Sequence, residues 1–274
     1  MTQFSSDTAA PRRFFFQRRK VDRVDFVVAG VQKAGTTALH YFLAKHPHVV
    51  LLRDQALHFF DKEEHFAGTP DYRILHDNFK PSRRWKIAGE VTADYLYYKP
   101  AMERIASYNP QMKVIISLRN PTSRAFSHWN MRRKTGREPL EFLEAIQRDQ
   151  KQREETSARF ARGDAYIDRG LYTSQIERVF RCFLRNQVLI IKYESFRENY
   201  SATIDAIFDF LGIQRLRDVK NTEQNVCPYQ RKMTVDERRY VSAIFDEDIC
   251  KLETLLDWDC SDWRLQSPEP KAAT

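Results

Sequence analysis

Short apolar runs punctuate this chain. Phe26-Val-Val-Ala29, Val49-Val-Leu-Leu52, Lys86-Ile-Ala88, Lys113-Val-Ile-Ile-Ser-Leu118 and Val188-Leu-Ile-Ile-Lys192 lack the polar alternation of a half-exposed strand. They predict strands over 24–30, 49–52, 86–88, 113–118 and 188–192, covered on both faces. The stretches between them carry apolar residues at helical spacing and predict helices over 36–46, 101–107, 122–135, 140–152, 172–185, 201–211 and 234–257. Phe142, Leu143 and Ile146 share one helical face, and Thr234 is placed to cap the last helical stretch. Strands alternating with helices of this length predict an α/β fold, with a central parallel sheet flanked by helices in three layers.

Composition sets the scale. At 274 residues and 42% apolar content the chain can bury one sizeable core. No repeat or low-complexity linker divides it, which gives a basic arm over 1–20, a single domain over 21–266 and a tail over 267–274. Phe14-Phe15-Phe16 is too short for a signal-peptide core, and no run approaches the roughly 18 apolar residues of a membrane span. Cys182, Cys227, Cys250 and Cys260 form no C-x-x-C pair, which argues against zinc and for reduced thiols in a cytoplasmic protein. A Cys227–Cys250 bridge is the alternative.

The net charge of +8 favours an anionic ligand. Arg12, Arg13, Arg18, Arg19 and Lys20 cluster, as do Arg132, Arg133, Lys134 and Arg137, yet no nucleic-acid-binding motif accompanies them. Solvated basic faces and a small anionic ligand are therefore expected, with no nucleic-acid partner. The charged stretch from Lys151 to Arg162 reads as a surface loop or helix.

Two segments carry candidate chemistry. After the first strand the chain reads Gly30-Val-Gln32-Lys33-Ala34-Gly35-Thr36-Thr37. Glycines let backbone N–H groups approach a ligand, the threonines open a helix, and the lysine adds a cation; together these make a phosphate cradle. The spacing keeps the glycine frame of a P-loop, but Thr36 stands where the P-loop lysine belongs and Lys33 lies inside the loop. The second segment, Arg119-Asn-Pro121-Thr-Ser-Arg124-Ala-Phe-Ser127, follows the 113–118 strand. Arg119 at the strand end offers a bidentate fork, and Ser127, in the following helix, offers a hydroxyl.

The first segment closely resembles the 5′-phosphosulfate loop of sulfotransferases that use 3′-phosphoadenosine 5′-phosphosulfate (PAPS). The second resembles their 3′-phosphate motif, Arg-[Asp/Asn]-Pro-x-x-Arg-x-x-Ser. Gly170-Leu-Tyr172-x-x-Gln175, Phe208-x-x-Leu211-Gly212, Asn225-Val-x-x-Tyr229 and Leu252-x-x-Leu255-Leu256-x-Trp258 extend the resemblance over about residues 24 to 264. Lys45-His46-Pro47 and His58-Phe59-Phe60-Asp61 are similar to the bacterial and glycosaminoglycan-type branch.

The resemblance implies a P-loop-like fold and transfer of a sulfuryl group from PAPS to a hydroxyl or amine, releasing adenosine 3′,5′-bisphosphate (PAP). It implies cofactor contacts from Gln32, Lys33, Ala34, Gly35, Thr36, Thr37, Arg119 and Ser127, with Tyr229, Arg231 and Lys232 from a C-terminal loop. It implies that Lys33 is the catalytic cation, and that His58, Phe59, Asp61, Asp94 and Tyr95 lie on the acceptor side. No metal is implied.

The base departs from the pattern. Relatives read Glu-x-His-Phe-Phe, with the glutamate as base, where this chain reads Ala56-Leu57-His58-Phe59-Phe60. Either Ala56 replaces a native glutamate, or His58 or Glu90 takes its role. In Gly89-Glu90-Val91-Thr92-Ala-Asp94-Tyr95, Val91 stands where relatives carry a second lysine. Two rivals stay open: a P-loop-type phosphotransferase, and a non-catalytic PAP- or nucleotide-binding protein. The acceptor is a small molecule or a carbohydrate, and the pattern sets no oligomeric state.

Overall fold

A computed structural model describes residues 20–53, 57–155, 164–216 and 229–265. Residues 1–19 of the arm, Ala56, the charged stretch from Thr156, Asn225, Cys227 and the tail lie outside the described residues.

Five strands form one all-parallel sheet: β1 (Phe26–Gly30), β2 (Val49–Leu51), β3 (Ile87–Val91), β4 (Lys113–Leu118) and β5 (Val188–Lys192), in the order β2-β3-β1-β4-β5. The helices are α1 (Thr36–Lys45), α2 (Arg73–His76), α3 (Lys99–Tyr108), α4 (Pro121–Lys134), α5 (Phe142–Glu155), α6 (Thr173–Cys182), α7 (Tyr193–Glu198), α8 (Tyr200–Leu211) and α9 (Val235–Leu256). The three-layer α/β architecture expected from the pattern is the one observed.

Successive strand residues face opposite ways, so β1 serves two cores. Phe26 and Val28 join Leu39, Phe42 and Leu43 of α1 and Ile204, Ile207 and Phe208 of α8. Val27 and Ala29 join Met102 and Ile105 of α3, Ile176 and Val179 of α6, and Val241, Phe245 and Leu252 of α9. Each fully buried aliphatic or aromatic side chain contributes about 1.5–3 kcal/mol, and this two-sided burial holds the sheet between its helical layers.

Several elements differ from the sequence expectation. β3 runs on to Val91, two residues past Gly89. That glycine pairs across the ladder with Phe26, and a Cβ there would lie 2.1 Å from the Phe26 ring. The glycine is therefore a packing requirement, not a strand end. The helix α7 fills the turn after β5, which the pattern leaves unassigned. Residues 235–256 form one continuous helix opened by a capping box: the Thr234 hydroxyl accepts from the Glu237 N–H (3.2 Å), and the Glu237 carboxylate accepts from the Thr234 N–H (2.8 Å). No helix among the described residues is long and apolar enough to cross a membrane.

Candidate active site

The loop between β1 and α1 is held in a strained, glycine-dependent conformation. Gly35 adopts φ +82°, and a Cβ there would lie 2.9 Å from the Tyr193 ring, so only glycine fits without displacing Tyr193. Lys33 takes φ +75°, a conformation that side-chain-bearing residues rarely adopt and that recurs at ligand sites. The first turn of α1 has neither a side-chain cap nor an acidic residue. That leaves the N–H groups and dipole at its start able to meet an anion.

The loop is laced to β4. The Val31 N–H donates to the Ser117 carbonyl (2.9 Å), and the Ser117 hydroxyl donates to the Ala34 carbonyl (2.7 Å). Arg119, at the end of β4, donates through Nη1 to the Lys33 carbonyl (2.9 Å), and its guanidinium lies 4.9 Å from the Tyr193 ring centre. Two segments 86 residues apart therefore share one site.

Ser127 is buried on α4, and Arg119 donates to the Tyr229 hydroxyl from 3.4 Å. Burial would raise the Tyr229 pKa, but Arg119, Ser127 and Lys33 together lower it. The phenol oxygen thus sits in a field suited to negative charge. Arg231 is tied instead to Glu237 (2.6 Å) and Glu141 (3.2 Å) and lies 4.9 Å over the Trp129 ring, while Lys232 is exposed.

Beside the cradle lies a cleft of about 220 Å³ lined by Gln32, Thr36, Thr37, His40, His58, Val91, Thr92, Ala93 and Asp94. His58 stands in a left-handed turn (φ +50°) with its Nδ1 2.9 Å from Asp61 Oδ2. A carboxylate only accepts, so Nδ1–H donates and Nε2 is the basic nitrogen. The Asp61 hydrogen bond raises the His58 pKa, burial opposes it, and Asp61, Asp94 and Glu90 add to the rise through their charge. Asp94 Oδ2 is 4.0 Å from the same Nδ1, while its Oδ1 pairs with Arg169.

A family model for the sulfotransferase domain matches residues 23–235. The chain belongs to the sulfotransferase family. Among solved structures, this sulfotransferase chain is similar to the sulfotransferase from Alicyclobacillus acidocaldarius, at 27% identity and TM-score 0.76 over 89% of this chain and 100% of that one. A mouse sulfotransferase, SULT7A1, complexed with PAP shares the fold at 16% identity and TM-score 0.51, over 86% of this chain and 89% of that one. The human bifunctional heparan sulfate N-deacetylase/N-sulfotransferase 3 is 29% identical over 76% of this chain, which spans 24% of that protein. Mouse heparan sulfate glucosamine 3-O-sulfotransferase 3B1 is 28% identical over 69% of this chain, which spans 46% of it.

The sulfotransferase fold brings together Gln32, Lys33, Ala34, Gly35, Thr36, Thr37, Arg119, Ser127 and Tyr229 on the cradle side, and His58, Asp61 and Asp94 beside the cleft. Besides Arg231 and Lys232, three further expected residues lie elsewhere. Phe59 is fully buried and stacks on His65 with ring centres 4.8 Å apart, so it packs the core and does not line the cleft. Tyr95 is fully buried with its hydroxyl donating to Glu90. Glu90 is itself 1% exposed and absent from the cleft lining, which places it beneath the surface. Burial pushes the Glu90 pKa up to about 7, against hydrogen bonds from Tyr95 and Thr92 that lower it.

Sequence reasoning missed Arg169 and His40. His40 lies one turn into α1, on the cleft, and only the helical register after the loop points to it. Arg169 carries no motif and reaches Asp94 from 75 residues away. Lys192, at the end of β5, donates to the Asp259 carbonyl at 2.8 Å and so anchors the C-terminal segment. The cysteines Cys182, Cys250 and Cys260 are free thiols. His58, Asp61 and Asp94 offer three ligand atoms within 4.8 Å, a spacing that a metal ion can use. Asp94 is already committed to Arg169, and Nδ1 of His58 to Asp61.

Proposed function

We propose that this sulfotransferase uses PAPS as donor and sulfates a hydroxyl or amine of a small-molecule or carbohydrate acceptor, releasing PAP. The observation that carries this reading is the Arg119–Lys33 hydrogen bond, which joins the 5′-side cradle to the Arg119/Ser127 pair. A nucleotide carrying phosphate groups at both positions matches that two-sided arrangement. The uncapped, acid-free start of α1 fits an anionic donor. PAPS, when bound, supplies the activated sulfuryl group.

The residues divide the work as follows. Lys33 and the loop N–H groups of Gly35, Thr36 and Thr37 stabilise negative charge that develops on the departing side, while the Ala34 N–H closes the loop on the Val31 carbonyl (3.1 Å). Arg119 and Ser127, with Tyr229, hold the 3′-phosphate by charge-assisted hydrogen bonds. His58 takes the acceptor proton at Nε2, with Asp61 fixing the ring's tautomer and supporting the imidazolium. Carbohydrate acceptors are suggested by the heparan sulfate relatives. A cytoplasmic setting fits the free thiols.

Thermal-shift titration tests the donor. PAP is expected to raise the melting temperature by mass action far more than ADP does, and Arg119→Ala is expected to remove that response. A response to ATP with magnesium and none to PAP would overturn the reading in favour of phosphoryl transfer. The base is tested by turnover: His58→Gln is expected to lower kcat by about 100-fold or more, with PAP affinity kept. Ala56→Glu is expected to raise turnover if the chain is impaired as written, and unchanged turnover would rule that impairment out.

A further inference from the structure

We propose that Arg169 is a positioning residue that holds Asp94 off His58. The inference rests on the reading of His58 as base. Arg169 lies in a single 3-10 turn, Asp168–Gly170, and its side chain is 4% exposed. Its guanidinium lies 4.3 Å over the Tyr97 ring and pairs through Nη1 with Asp94 Oδ1. That grip leaves Asp94 Oδ2 at 4.0 Å from His58 Nδ1, beyond hydrogen-bond reach, while Asp61 Oδ2 holds the same nitrogen at 2.9 Å.

The charges around the imidazole make this matter. His58 faces the carboxyl groups of Asp61, Asp94 and Glu90, with His40 on the same cleft. Two carboxylates in full contact with one imidazole would keep it protonated, and a protonated ring accepts no proton from an acceptor. Arg169 counters this in two ways. It draws one Asp94 oxygen away from the ring, and it places a positive charge behind the carboxylate. With Arg169 buried and Asp94 half-buried, the pair is only partly screened by salt. Arg169 therefore leaves His58 with one close carboxylate instead of two.

The test reads His58 directly and needs no turnover. The ring Cε1–H resonance of His58, assigned by its loss in His58→Gln, is titrated by NMR in the full chain. Arg169→Gln frees Asp94 and removes the cation, so the His58 midpoint is expected to rise by about one pH unit. Arg169→Lys is expected to bring it back most of the way. An unchanged midpoint in a folded Arg169→Gln protein overturns the proposal.

Should Arg169→Gln fail to fold, Asp94→Asn carries the test. With Arg169 countering Asp94, this variant is expected to lower the midpoint by less than Asp61→Asn does. An equal or larger fall overturns the proposal. Turnover separates the two readings. If His58→Gln keeps full activity the base assignment fails, whereas the midpoint shift decides the role of Arg169 on its own.

Discussion

Glu90 immediately precedes Val91, which lines the cleft, yet it is sealed from solvent. Its Oε1 accepts from Tyr95 and Thr92, and among the described residues Oε2 has no partner. A carboxyl group in that setting favours its neutral form, which is why its pKa rises to about 7 from an ordinary 4.5. The raised value means that its contribution to stability is complete below pH 4.5 and is lost as pH climbs through about 7. Glu90→Gln is therefore expected to match the parent near pH 5 and to exceed it in alkali, by at most about 3 kcal/mol. Melting temperatures of both proteins at pH 5 and 8.5 check this; a constant gap would sink it. The same residue shows where reading by residue type stops. His58-Phe59-Phe60-Asp61 announces a histidine and an aspartate three apart, but only the left-handed turn at His58 sets them against one another while both phenylalanines go inward.

At the scale of elements, the strands were largely legible because burial on both faces leaves an uninterrupted apolar run. β4 and β5 fall on the predicted residues, whereas β3 was read short because Gly89 and Glu90 resemble a strand ending. The nucleotide-side loops were legible for a related reason: a cradle of glycines, hydroxyls and a cation is contiguous in sequence. The closing turn of the domain, Ser261–Trp263, has no apolar periodicity to announce it, yet it braces the residues beside Arg119. Trp263 donates through Nε1 to Glu194 Oε2 (3.2 Å), Glu194 Oε1 accepts from the Asn120 N–H (3.1 Å), and Asn120 Nδ2 donates to the Trp263 carbonyl (3.0 Å). Asn120 also caps α4 and immediately follows Arg119. Trp263→Ala is expected to cost about 3–5 kcal/mol as a buried cavity. PAP affinity is expected to fall beyond the loss of folded protein, because the support next to Arg119 goes with it. Denaturant melts combined with PAP titration of the folded fraction check this, and an unaltered affinity would confine Trp263 to the core.

For the whole molecule, charge was the least instructive signal. The basic cluster at the end of α4 is met by acids: Arg132 pairs with Asp164 (2.5 Å) and Arg133 with Glu141 (2.9 Å). Such pairs form only once the residues flanking α5 pack against α4, so a sequence displays the cations without their partners. Strand order was likewise absent from the apolar pattern, which lists strands but not neighbours. Arg169 and Asp94 meet because the turn carrying one is folded over the end of the sheet carrying the other, and no local periodicity encodes that meeting.

The strand order has a practical consequence. With β1 between β3 and β4, the glycine loop follows the middle strand, Arg119 and Ser127 follow one neighbour, and Thr92 to Asp94 follow the other. Neighbouring strands lie about 4.8 Å apart, so the three turns span about 10 Å on one rigid support. Under the proposed function, donor recognition and acceptor recognition occupy separate, fixed berths. Exchanging the segments after β2 and β3 with those of a relative is therefore expected to redirect what is sulfated while PAP binding is kept.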